Sequence, residues 1–314
     1  DKRVAAADKP KLQLAGVQSS LRFADASGKD PRVAPVLTNA ADRLYALKDI
    51  EQAQSVAERV LALDPPATAE QKRVATTVLA NTAFERGAFD RAEKRYGELL
   101  ALTPTNDKAR GDLVERQAAS IYKQGEAAQK SGKAQDAVGH FTRVAAVAPG
   151  SAIHASAQYD AAAALIGLKD WDNAAKMLED FRQRFPKHPL ADDASNKLAV
   201  AYLEKGRWSE AAGEFERVAA SGKDPKLSQE ALWQAAELHG KGNNRAASAK
   251  AYERYLKQYP EPFERSMETR HRLAVMARAD GNSKREFELQ REIFTADQRG
   301  GGARTERTRF LGAT

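Results

Sequence analysis

The feature that most restricts what this chain can become is that it repeats itself. The phrases Arg86-Gly87-Ala88-Phe89-Asp90-Arg91-Ala92, Lys169-Asp170-Trp171-Asp172-Asn173-Ala174 and Lys205-Gly206-Arg207-Trp208-Ser209-Glu210-Ala211 are variants of one another, and residues 46–53 hold a looser copy. Most copies run on to a proline: Pro65, Pro104, Pro149, Pro186 and Pro260. Aligned, they give seven units starting near Ala34, Arg73, Ala118, Ala155, Asp192, Gln229 and Met267, at spacings of 39, 45, 37, 37, 37 and 38 residues. Self-similarity at this period denotes stacked supersecondary units, each covering the apolar face of its neighbour.

Each unit reads as two antiparallel helices joined by a tight turn. The eighth position of the first helix is small in all seven units: Ala41, Ala80, Gly125, Ala162, Ala199, Ala236 and Ala274. The second helix sets a small residue against it: Ala53, Ala92, Ala137, Ala174, Ala211 and Ser248, with Glu286 in a degenerate seventh unit. Two helices that cross closely leave room only for small side chains between their backbones. The turn uses Gly87, Gly132, Gly206 and Gly281, residues that stop a helix without steric cost. Two residues after the turn position stands Ile50, Phe89, Trp171 or Trp208, read as core at the hairpin corner rather than as ligand contacts. The proline then ends the second helix.

These residues carry a resemblance to the tetratricopeptide-repeat family over about residues 34–294. The resemblance implies an all-α fold, an α-α superhelix of about seven hairpins. The units depart from the family's basic 34 residues by being longer, and the extra residues fall between hairpins, as in 185–194. That linker and residues 258–262 resemble those of bacterial cell-envelope members: the outer-membrane β-barrel assembly lipoprotein, and the periplasmic protein that coordinates cell-wall synthesis with constriction. The resemblance therefore implies a periplasmic or envelope location, with the cytoplasm as the alternative.

The ends depart from the pattern. Residues 1–33 have apolar positions at Leu12, Ala15, Leu21 and Phe23 and are expected to hold one helix of a preceding, truncated unit. The 45-residue spacing predicts a longer first helix in the third unit, over about 107–130. Residues 295–314 are expected to form a glycine-rich flexible joint at 300–302 and the start of a further unit. Asp1 in place of a methionine suggests a piece of a longer protein.

Composition narrows the chemistry. Sixty-one alanines among 314 residues favour closely packed helices. The net charge of +7 sits mostly at the ends: +3 over residues 1–32 and +2 over 295–314, against +1 over 33–263. Signs interleave in the middle, so the basic stripe of a nucleic-acid face is missing. No run of about 18 apolar residues crosses a membrane. Cysteine is absent, which removes thiolate metal sites and cysteine nucleophiles. The five histidines, His140, His154, His188, His239 and His271, occupy five different repeat positions with no paired spacing, so no metal site is expected. Asp192 and Asp193 offset a helix start. Residues 300–302 lack the Lys-Ser/Thr of a phosphate loop. No catalytic residue, enzyme activity or cofactor is expected.

What remains is binding. In a helical solenoid the first helices line the concave surface, and equivalent positions form columns. The fifth-position column reads Thr38, Thr77, Tyr122, Tyr159, Asn196, Trp233 and His271, with Asn81, Glu126 and Glu237 beside it at the ninth. Tyr and Trp join a broad apolar face to a polar tip. Tyr122, Tyr159, Asn196, Trp233, Glu126, Glu237 and Asn81 are thus the candidate partner-binding residues, unless the rings pack between hairpins. The carboxylate clamp of tetratricopeptide co-chaperones is missing, because Asn39 and Asn81 have no lysine or arginine beside them in that column. The expected function is a protein–protein interaction scaffold in an envelope assembly. The alternative is a periplasmic glycan-associated module, resembling the repeat regions of exopolysaccharide-export proteins, in which the aromatics stack on sugars.

Overall fold

A computed structural model describes residues 9–222 and 224–313. Among them are sixteen α-helices and no strand, and the chain divides after Ala164 into two compact units. The first holds α1 (Lys9–Ser27), α2 (Val33–Ala46), α3 (Ile50–Leu61), α4 (Ala69–Glu85), α5 (Phe89–Leu102), α6 (Arg110–Lys130), α7 (Ala134–Val147) and most of α8 (His154–Gly167). The second holds α9 (Trp171–Arg184), α10 (Ala191–Glu204), α11 (Trp208–Ser221), α12 (Pro225–Lys241), α13 (Arg245–Gln258), α14 (Phe263–Ala279), α15 (Ser283–Arg299) and α16 (Glu306–Ala313).

Every hairpin turns on one left-handed residue. Gly87, Gly132, Gly206 and Gly281 have φ of +75°, +73°, +66° and +71°. The other three hairpins put Lys48, Lys169 and Asn243 in the same conformation, at +63°, +60° and +58°. The seven corners are spaced 39, 45, 37, 37, 37 and 38 residues apart, the same intervals that separate the repeats. In each corner the residue after the left-handed one bonds back into the first helix, as Ala88 N to Ala83 O (2.9 Å) and Arg207 N to Tyr202 O (2.8 Å). Asp49, Asp170, Asn244 and Asn282 then accept a first-turn amide of the second helix. Thr68 and Gln71 cap α4 reciprocally.

Small residues fill the crossings. Ala41, Ala53, Ala80, Ala92, Ala137, Ala211 and Ala236 are fully or almost fully buried. A Cβ on Gly125 would stand 2.5 Å from the Phe141 ring, so this crossing admits only glycine. Ser248 is tolerated because its hydroxyl donates to Ala236 O (2.7 Å) across the same gap. Glu286, at the equivalent place in the seventh unit, is largely covered and accepts from Arg278 (2.6 Å). Trp171 and Trp208 are only half-buried. Trp208 packs beside the next hairpin's corner, where a Cβ on Gly242 would lie 3.3 Å from its own Cβ.

The ends differ from expectation in two respects. In α1 Val17 and Ala24 are buried in the α2–α3 core, and the expected Leu21 and Phe23 pack against it partly buried, whereas Leu12 and Ala15 are exposed. At the other end α15 runs through Arg299, and Gly301–Ala303 form a 3-10 turn. Gly300 is required by packing, since a Cβ there would meet the Phe263 ring at 2.7 Å. Arg304 closes the segment with a two-pronged pair to buried Asp297 (2.8 and 2.6 Å). Gly300 is thus packed, while Gly301 and Gly302 stay exposed in the turn. Beyond it α16 stacks on α14 and α15, burying Leu311 against Met267 and Ile293.

The third unit's long helix begins at Arg110, because Asp107 stays outside it. Its carboxylate accepts Ala109 N (2.9 Å) and binds Arg73 (3.0 Å). The added turns of α6 carry Glu115 to the α7–α8 loop, where it takes Ser151 Oγ (2.6 Å) and Ala152 N (3.1 Å).

Candidate functional site

The seven candidate residues fall into three environments. Asn81 and Glu237 are consumed inside their own hairpins. Tyr96, fully buried on α5, donates its hydroxyl to Asn81 Oδ1 (2.7 Å). Tyr252, buried on α13, donates in the same way to Glu237, which also holds Arg272. Burial, and then the bond to Glu237, push the Tyr252 hydroxyl pKa well above its usual range. The two tyrosines sit at the same repeat position, four residues after the small residue of the second helix. A polar ninth residue is the acceptor that a buried tyrosine at that place needs.

Trp233 is the clearest correction to the sequence reading. Its indole is 7% exposed, edge-on to Tyr252 and Tyr255 at 5.3 and 5.4 Å. Arg265 and Arg272 lie over the ring at 4.6 and 5.4 Å. Both guanidiniums are held by carboxylates, Arg265 by Glu230 and Arg272 by Glu237 and Glu268. Trp233 is therefore core under an ionic cover, with no open face for a ligand to stack on.

Tyr122 and Glu126 form a half-buried polar cluster in the first unit. Tyr122 leans on Phe141 at 5.3 Å and donates to Asp160 Oδ2 at 2.5 Å. Burial raises the Tyr122 hydroxyl pKa and, as the largest cause, that of Asp160 as well. Glu126 takes Lys123 Nζ at 2.6 Å. Tyr159 is half-buried on α8.

Asn196 alone among the seven is exposed. It borders a small cleft of about 120 Å³ between α10, α11 and α12, with Asp192, Ser221 and Leu227. Two residues that sequence reasoning passed over lie nearby in the repeat frame. Val200 and Val275, at the ninth position of the fifth and seventh units, are 44% and 49% exposed. The ninth position is acidic or amide in four other units, at Asp42, Asn81, Glu126 and Glu237. An apolar residue in that column was the signal available.

Among the described residues no group of three or more His, Asp or Glu is placed to hold a metal ion, and no helix is long and apolar enough to span a membrane. Four histidines have separate local settings: His154 lies 2.9 Å from Pro149 O, His188 is edge-on to Phe181, His239 lies 3.4 Å from Glu216, and His140 lies 3.3 Å from Arg143.

Comparison with known families fits this frame. Tetratricopeptide-repeat profiles match residues 122–176, 159–227 and 230–262. The chain carries tetratricopeptide repeats over these residues. Its class is all-α, built of helical hairpins among the described residues. Similar solved structures include MamA from residue 41 onward of Desulfovibrio magneticus RS-1, at 16% identity over 59% of this chain and 97% of that one, TM-score 0.34. Another is YrrB, titled a tetratricopeptide protein with an unusual peptide-binding site, at 17% over 68% and 98%, TM-score 0.35. A third is a tetratricopeptide protein of Parabacteroides merdae ATCC 43184, at 14% over 72% and 80%, TM-score 0.34. No curated protein matches the sequence. Tetratricopeptide repeats are in general non-enzymatic scaffolds that bind protein partners.

Proposed function

We propose that this tetratricopeptide chain is a protein-binding scaffold of a bacterial envelope assembly, taking its partner on the first-helix face of the repeats. The observation that carries the reading is the exposure of Val200 and Val275 at the ninth position of their first helices, with exposed Asn196 one turn before Val200. Exposed valines in a column that is polar in four of the seven units favour a partner that covers them. In the first unit, Tyr122, Tyr159 and Glu126 offer a half-buried candidate surface of their own. Trp233, Glu237 and Asn81 serve packing within their own units. A glycan ligand loses its best stacking platform with the burial of Trp233.

A test uses exposed positions, because Trp233→Ala would report on folding. A photo-crosslinking amino acid is placed at Val200 or Val275, and the protein is expressed in the cells that produce it. The expected result is a crosslink to the same protein from both sites, in the envelope fraction. A crosslink from Phe287 on α15 but from neither valine would reject the first-helix face. Recovery of the protein in the cytosol alone would reject the envelope placement.

A further inference from the structure

The first unit carries a surface of a different character. Between α3, the end of α4 and α5 runs an open cleft of about 360 Å³, lined by Gln54, Glu58, Arg86, Arg91 and Arg95 over an apolar floor that includes Leu79 and Ala83. Arg86 ends α4, and Arg91 and Arg95 stand one turn apart on α5. Three guanidiniums meet a single carboxylate in the lining, and Glu58 is already bonded by Gln54 (3.0 Å).

The arginines are weakly committed to the fold. Arg91 has no hydrogen bond or ion pair among the described residues. Arg86 has only Glu51, 3.8 Å away and itself 85% exposed. Arg95 pairs along its own helix with Glu98 (2.8 Å). Neighbouring repeats supply an internal control. The three corresponding positions hold Ser131, Asp136 and His140 in the third unit, and Gly242, Ala247 and Ala251 in the sixth. The hairpin therefore folds without arginine at any of them. Cations gathered where the fold does not ask for them, over apolar atoms, complement an anionic chain.

We propose that this cleft docks an acidic segment of a protein partner, its carboxylates taken by the forked guanidiniums of Arg86, Arg91 and Arg95. Arginine suits this occupant because its planar fork matches a carboxylate with two parallel bonds. The floor of Leu79 and Ala83 gives the segment's methylenes an apolar surface. An open trough fits an extended peptide better than an enclosed small molecule.

The test is fluorescence anisotropy of a labelled octaglutamate peptide with the whole chain at low salt. The triple variant Arg86→Gln, Arg91→Gln, Arg95→Gln should bind at least ~10-fold more weakly and show a shallower salt dependence. Arg91→Gln alone should lose about threefold, with circular dichroism unchanged because nothing in the fold holds that side chain. Arg291→Gln with Arg299→Gln, two exposed arginines on α15, should bind as wild type does. Equal binding by the triple variant, or equal loss in the α15 control, would overturn the site. A duplex DNA or an anionic vesicle that outcompetes octaglutamate, with the same arginine dependence, would overturn the occupant.

Discussion

Substituting alanine for Gly125 tests whether small residues at the crossings are a packing requirement. An added Cβ would meet three ring carbons of Phe141 at 2.5, 2.6 and 3.0 Å, each inside ordinary contact distance. Phe141 is 1% exposed and backed by Tyr122 at 5.3 Å, so the ring has little room to retreat. Overpacking a filled core costs about 1–3 kcal/mol, and three simultaneous overlaps put this site near the upper end. Replacing a mid-helix glycine by alanine returns about 1 kcal/mol of helix propensity. The net expectation for Gly125→Ala is a loss of about 2 kcal/mol. The same hairpin provides the opposite case. A Cβ on Gly139 in α7 meets nothing within 4 Å, so Gly139→Ala should gain up to about 1 kcal/mol. Urea titrations followed by far-UV circular dichroism would compare midpoints at constant slope. Phe141→Leu in the Gly125→Ala background should recover part of the loss, as a coupling of about 1 kcal/mol or more in a double-mutant cycle. A Gly125→Ala midpoint at or above wild type would refute the crossing argument.

Other consequences can be measured separately. Trp233→Ala should cost roughly 3–5 kcal/mol, the range for emptying a buried aromatic site; with Trp171 and Trp208 changed to Phe, Trp233 should remain poorly quenched by acrylamide, and ready quenching would contradict its burial. Lys169→Gly should stabilise by about 1 kcal/mol and Gly206→Ala should destabilise by about as much in thermal melts, since both corners have positive φ and the cost falls on a Cβ. Burial, and then the hydrogen bond to Glu85, raise the Tyr45 hydroxyl pKa from 10 to about 12. The folded state thus holds that proton more tightly, and the resulting stability is present below pH 10 and lost as pH rises through about 12. Absorbance titration at 295 nm should show one late-ionising tyrosine fewer in Tyr45→Phe.

The hairpin architecture was legible because it is written in small residues and corners. Alanine at Ala41, Ala80 or Ala211 marks a crossing in any context, and a closing proline marks a helix end. Lys48 and Lys169 were legible as corners only through the repeat alignment, because lysine has no preference for the left-handed backbone, whereas Asn243 is of a type that tolerates it. The binding column was read less well. An inward repeat position tells which way a residue points along the solenoid, and nothing about what arrives to cover it. Trp233 was covered by Arg265 and Arg272, which come from α14 in the next hairpin. Asn81 and Glu237 had buried tyrosine partners fifteen residues onward. That relation could have been read from the repeats, since Tyr96 and Tyr252 share a position and their acceptors share another. Val200 and Val275 were missed because aromatic character, rather than exposed apolar area, guided the search.

The equal intervals between the corners at Lys169, Gly206 and Asn243 make part of this chain modular in length. A cut at any point in one hairpin and a join at the point 37 residues later preserve every crossing pair and every corner downstream. Copies of such a hairpin can be gained or lost without re-registering the rest. The reach of the array is then adjustable in whole steps, while the 45-residue interval ahead of Gly132 marks a place where such an exchange would fall out of phase.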